Sequence, residues 1–181
     1  MARHCKRFCL FVAALGWLGS SSEARAYDEQ MSLDFALGYA LLAAADRATS
    51  QGGAAELGVG FGASESIVLR ANVGYAALAQ RRDAKRDVSQ IGRLRAEALY
   101  QLDVLQVVPF FGLGATLTTA QDSAARLPLR VGGHIVLGVD YLLSRRWICG
   151  VDLRTALLTD GQQLLSATDI SLRLSRMFET F

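Results

Sequence analysis

From about residue 30 onward the chain alternates between apolar and polar or small residues. In GRLRAEALY (92–100), Leu94, Ala96, Ala98 and Tyr100 fall in one phase, and Arg93, Arg95 and Glu97 in the other. SIVLRANVGYAALA repeats the pattern: Ile67, Leu69, Ala71, Val73, Tyr75 and Ala77 against Arg70, Asn72 and Gly74. VGGHIVLGVDY sets Val131, Ile135, Leu137, Val139 and Tyr141 against Gly132, His134, Gly138 and Asp140. A period of two is that of a β-strand with two unlike faces. The pattern predicts eight strands, at about 30–45, 54–63, 67–79, 88–102, 108–118, 129–143, 147–157 and 168–178.

Short connections, Ser64-Glu65-Ser66 and Ser144-Arg145-Arg146, alternate with longer polar ones: DRATSQGG (46–53), QRRDAKRD (80–87), TAQDSAARLP (119–128) and LTDGQQLLSA (158–167). Strands of about ten residues suit a tilted crossing of a bilayer. Eight of them, joined in this way, predict an all-β, antiparallel, up-and-down barrel. A helical alternative exists locally. In QIGRLRAEALYQLDVL, Ile91, Leu94, Ala98, Leu102 and Leu105 lie near helical spacing, and ALLAAADRA (40–48) has a helix-former composition. Short apolar runs are ambiguous, and the other alternating segments decide for strands. YQLDVLQVVPFFGLGAT (100–116) reads as a hairpin whose turn is DVLQVV. Pro109 enters the next strand where a missing N–H is tolerable.

A soluble barrel points its apolar phase inward; a membrane barrel points it at lipid and leaves the polar phase for the lumen. Here the polar phase holds Asp34, Glu56, Glu97, Asp140, Asp152 and Asp169 with Arg70, Arg93, Arg95, Arg154 and Arg173, and His134 falls in the same phase. The signs nearly balance, and glycines such as Gly58, Gly60, Gly62, Gly74, Gly112, Gly114, Gly138 and Gly150 interleave with them. An eight-stranded lumen has only enough room for side chains to fill it. Large charged groups there need small neighbours for space and opposite charges to offset desolvation. Phe61, Tyr100, Phe110, Phe111, Tyr141, Trp147 and Phe178 flank the short turns or the end of the last strand. They are expected to form one interfacial aromatic girdle.

Composition changes the picture at the N-terminus. The chain of 181 residues is 51% hydrophobic, yet no run of 18 apolar residues appears after residue 30. Arg3, Lys6 and Arg7 precede an apolar core, CLFVAALGWLG (9–19), and SSSEARA ends in an A-x-A signal at Ala24-Arg25-Ala26. Residues 1–26 read as a cleavable export signal and 27–181 as the barrel. The leader carries four of the 19 basic residues and one of the 17 acidic ones, so the remainder has a net charge of −1. The basic pI belongs to the leader and is no argument for nucleic acid. Cys5 and Cys9 leave with it; Cys149 alone remains, so no intramolecular disulfide is expected.

The leader, the repeated Gly38-Tyr39-Ala40 and Gly74-Tyr75-Ala76, the YQLDVLQVVPFFGLGA hairpin, GVDYLLSRRWICGVDLR and the aromatic C-terminus together resemble the bacterial outer-membrane β-barrel family, in particular small eight-stranded barrels of the OmpA and OmpX type. The resemblance covers residues 27–181. It implies a Gram-negative outer membrane, surrounding lipid and lipopolysaccharide, a monomer, and insertion by the barrel-assembly machinery. Family members end in Phe with apolar residues at alternate positions. Here Phe181 is terminal, but Ile170, Leu172, Leu174 and Phe178 lie in the other phase. Phe178 is therefore read as the effective assembly signal with a short extension to Phe181, against a bulge near Arg176.

Little in the sequence points to catalysis. Gly58-Val59-Gly60-Phe61-Gly62 lacks the third glycine spacing of a dinucleotide loop, and no helix follows it. His134 is the single histidine after the leader and sits in the polar phase, so no catalytic, metal or cofactor site is expected. The concentrated basic feature is Arg81, Arg82, Lys85 and Arg86, a solvated loop tip or a contact for lipopolysaccharide phosphates. The expected role is structural or one of surface interaction: envelope integrity, adhesion or lipopolysaccharide contact. A narrow pore for ions or very small solutes is the alternative. A lipid-modifying enzyme and a soluble periplasmic ligand-binding barrel rank below it.

Overall fold

The computed structural model describes residues 30–44, 47–82, 85–102, 106–121 and 129–179. The expected export signal at 1–26, Phe181 and residues 83–84 lie outside them. Eight strands follow in order: β1 (Gln30–Ala44), β2 (Arg47–Gly62), β3 (Ile67–Arg82), β4 (Lys85–Gln101), β5 (Val107–Gln121), β6 (Arg130–Ser144), β7 (Trp147–Thr159) and β8 (Leu164–Glu179). Each pairs antiparallel with its chain neighbour, and β8 pairs with β1 to close the barrel. Closure leaves no sheet edge, which is what a membrane demands of strands. The segment with helical spacing, 90–101, is bound on both sides as β4. Glu97, for example, pairs with Arg70 of β3 and Gly114 of β5. A ladder on both flanks overrides the helix propensity of RLRAEAL.

Three of the long polar connections are shorter than the hydrophobic pattern suggests. β2 begins at Arg47, so most of DRATSQGG is strand. QRRDAKRD supplies the paired ends of β3 and β4, with Arg82 opposite Lys85 and Arg81 opposite Arg86. β7 and β8 are separated only by residues 160–163. The physical reason is that strands continue pairing after they leave the apolar belt. There the outward positions turn polar, as at Gln51 and Gln90, so the alternation fades although the ladder does not. The side chains of Arg81, Arg82, Lys85 and Arg86 lie outside the described residues.

Two ends can be distinguished. The turn end carries the β2–β3, β4–β5 and β6–β7 connections and both termini of the described barrel. The Leu102 N–H donates to the Pro109 carbonyl at 2.9 Å. Proline lacks the return donor of that pair, but β4 ends there, so no ladder is interrupted. At the other end, the loop end, Gly161 takes φ +89° in the β7–β8 connection, a conformation other residues rarely adopt.

Candidate functional site

The inward phase forms three layers. The middle one is charged. Asp34, Glu56, Arg70, Arg93, Arg95, Glu97, His134, Asp140, Asp152, Arg154, Asp169 and Arg173 are all buried inside the barrel. Glu97 stands at the centre: Arg70 donates to it at 3.3 Å, Asn72 at 3.1 Å, His134 Nε2 at 3.1 Å, and Arg154 at 3.3 and 3.2 Å. An ionised carboxylate only accepts, so Nε2 of His134 carries the hydrogen, while Nδ1 meets Thr116 Oγ1 at 2.8 Å.

Arg154 also donates to Asp152 at 2.9 Å and to Ser171 at 3.2 Å. Toward the turn end, Arg173 holds Asp140 at 2.5 Å and Asp152 at 3.4 Å, and Arg70 lies 3.1 Å from Asp34. Toward the loop end, Arg93 reaches Asp169 at 2.6 Å, and Arg95 bridges Glu56 and Asp169. The network thus links all eight strands across the lumen, β5 through Thr116. The glycines make the room. A Cβ on Gly114 would lie 2.6 Å from His134 Cε1, and one on Gly74 would lie 2.7 Å from Glu56 Cγ.

Apolar side chains close this layer from both ends, and most of them went unread in the alternation. On the turn side Leu99, Phe110 and Val136 pack together with Val68. On the loop side Ala40, Ala76, Leu78 and Ile91 form one cluster, and Ala156, Leu158, Leu165 and Ala167 another, with Leu42 touching both. Phe110 corrects the expected girdle: it is 3% exposed and points into the lumen. Adjacent strand residues face opposite ways, so only one of Phe110 and Phe111 can meet lipid. Inside, the Phe110 ring receives the guanidinium groups of Arg70 and Arg173 at 5.7 and 5.6 Å, the cation–π geometry that suits a charge with little water. A cavity of about 40 Å³ opens at the turn-end mouth, bordered by Ser32, Arg70, Asp140 and Arg173.

The outer wall is apolar. Along β1, Met31, Leu33, Phe35, Leu37, Tyr39 and Leu41 are all exposed, a belt of the length one strand needs to cross a bilayer. At its loop-end edge, outward positions turn polar at Gln51, beside Leu41, and at Gln90 and Thr119. Moving Arg93 or Arg95 onto this wall by a one-residue slip would cost about 2–4 kcal/mol each near the midplane. Phe61, Tyr100, Phe111, Tyr141, Trp147 and Phe178 stand on the wall near the turn end, with Tyr100 and Phe111 in contact at 5.4 Å. Phe178 pairs with Met31 without a register shift, so β8 has no bulge near Arg176; Phe181 lies outside the described residues. Among the described residues, no group of His, Cys, Asp and Glu is placed to hold a metal ion. Cys149 is a free thiol.

No family model matches the chain, and no curated protein sequence matches it. Solved structures do. Neisserial surface protein A is similar with a TM-score of 0.68 at 15% identity, covering 82% of this chain and 97% of that one. OprG, an outer-membrane protein of Pseudomonas aeruginosa, gives 0.60 at 10% identity over 87% and 100%. Ail, the attachment invasion locus protein of Yersinia pestis, gives 0.57 at 9% identity over 83% and 99%. With its apolar wall and closed sheet, this chain is a membrane-spanning barrel with the fold of the small eight-stranded outer-membrane proteins.

Proposed function

We propose that this chain is a Gram-negative outer-membrane barrel that acts through its surfaces, as a structural or surface-interaction protein, and not through its lumen. The observation that carries the reading is the filled interior: an interlocked charged layer with apolar side chains packed against it toward both ends. Moving an ion through would require breaking buried ion pairs and wetting the apolar layers, both costly steps. His134 is bonded through both ring nitrogens inside the lumen. It reaches neither the lipid face nor the rim, where a hydrolytic base would have to act. The turn end, which carries both ends of the described barrel and the aromatic girdle, faces the periplasm in this reading. The names of two similar barrels, a surface protein and an attachment protein, accord with a role at the cell surface.

Planar bilayers test the proposal. The folded barrel should give no stable unitary conductance while fractionating with the outer membrane and showing heat-dependent gel mobility. Steady single-channel steps from the same preparation would return the narrow-pore reading.

A further inference from the structure

Arg176 is out of keeping with its own wall. Among the described side chains of the outward phase of the eight strands, it is the only charged one. It lies on β8 between Leu33 of β1 and Trp147 of β7. Its guanidinium carbon sits 5.8 Å from the Trp147 ring centroid and 5.2 Å from that of Phe178. Stacking on two aromatic rings of the girdle holds the cation at the turn-end edge of the apolar belt.

The β6–β7 turn brings two more cations to the same corner. Arg145 and Arg146 are exposed and immediately precede Trp147. The Arg146 carbonyl accepts the Met177 N–H at 2.9 Å, which ties the turn to β8 beside Arg176. The five lumen arginines of the charged layer all face carboxylates. None of these three makes an ion pair with a described residue.

We propose that this corner binds the phosphate of an anionic phospholipid of the phosphatidylglycerol class in the leaflet at the turn end. The corner gathers three arginines where the apolar wall gives way to the turn. Arg176 sits at the apolar boundary, and Arg145 and Arg146 lie on the turn beyond it. Trp147 and Phe178 offer flat apolar surface for the glycerol and upper acyl carbons. The charge that the wall lacks is then supplied by the lipid. This inference rests on the membrane reading above and adds a specific lipid contact to it.

The test uses the full-length chain folded into nanodiscs holding phosphatidylglycerol and phosphatidylethanolamine in equal amounts. Native mass spectrometry counts the lipids retained after transfer to mild detergent. The unsubstituted chain should retain phosphatidylglycerol preferentially, with about a fivefold loss of enrichment for each arginine removed. The variant R145Q/R146Q/R176Q should retain the two lipids equally. R176K, which keeps the charge, should keep most of the preference, and raising the salt should weaken it. Heat-dependent gel mobility shows that each variant is folded. Equal retention by the unsubstituted chain overturns the proposal, as does preference surviving in the triple variant. Displacement of phosphatidylglycerol by added lipopolysaccharide would also overturn it, because the site would then take a different lipid. Failure to enter nanodiscs at all would remove the membrane reading and this inference with it.

Discussion

Four side chains converge on the Glu97 carboxylate: Arg70, Asn72, His134 and Arg154. Two of them carry full charges, and Glu97 is the carboxylate they share: Arg70 also faces Asp34, and Arg154 also faces Asp152. Glu97→Gln keeps the shape but leaves Arg70 and Arg154 undercompensated. It should cost about 3–5 kcal/mol, the scale for breaking a buried pair by removing one partner, read from the urea midpoint of the barrel unfolding in vesicles. Two glycines give a sharper local contrast. At Gly114 a Cβ would run into the Ala96 carbonyl oxygen and lie 2.6 Å from His134 Cε1, whereas at Gly133 its nearest neighbour would be 3.8 Å away. Gly114→Ala should therefore destabilise by about 1–3 kcal/mol through overpacking, while Gly133→Ala changes the same midpoint little. The need for small lumen residues was legible from the alternation. So, with stricter use of the phase, was Phe110: Phe111 shares a phase with Leu113 and Ala115, which leaves Phe110 no place but the interior.

Among the elements, the least legible features were strand ends, and the β7–β8 hairpin shows why. LTDGQQLLSA looks like a loop by composition, yet only residues 160–163 are loop. Asp160 makes this possible. Its Oδ1 accepts the N–H groups of Gln162 and Gln163 at 3.0 and 2.9 Å, and its Oδ2 lies 3.4 Å from Arg130 Nε. Those N–H donors, with a smaller contribution from Arg130, hold the carboxyl below its ordinary value near 3.8. A depressed folded-state pKa adds stability above the ordinary value, and that stability is lost as pH falls through the folded one. Asp160→Asn should thus speed amide exchange at Gln162 and Gln163 at neutral pH. The two proteins should converge in acid, once the carboxyl of the original chain is protonated. Equal exchange at neutral pH would mean that Gly161 alone sets the turn. Such side chain-to-backbone contacts decide where a strand stops, and hydrophobic periodicity carries no record of them.

At the scale of the whole molecule, the wall was the most legible part and the packing of the lumen the least. Inward apolar residues such as Leu78, Leu99, Val136 and Leu158 can be placed on the inner face one at a time by counting. Whether they meet depends on the stagger of eight strands around the barrel, which is a property of closure and of no single segment. The wall needs no such information, because each strand repeats the same outward alternation, and its energetics can be tested at two heights. Leu37 lies in the middle of the β1 belt and is 54% exposed, paired with Ala55 and Leu172. Leu37→Arg puts a guanidinium where acyl chains exclude water and should cost about 2–4 kcal/mol. Gln51 lies beside Leu41, at the height where the outward face of β2 has already turned polar. Gln51→Arg should cost only about 0–1 kcal/mol, because the side chain reaches water there. Both are read from folding into vesicles by heat-dependent mobility. A steep difference between them measures the depth profile of lipid around the barrel. Equal costs would mean that the exposed apolar belt meets something other than a bilayer, since only a bilayer makes the same charge expensive at one height and tolerable a few residues farther along the wall.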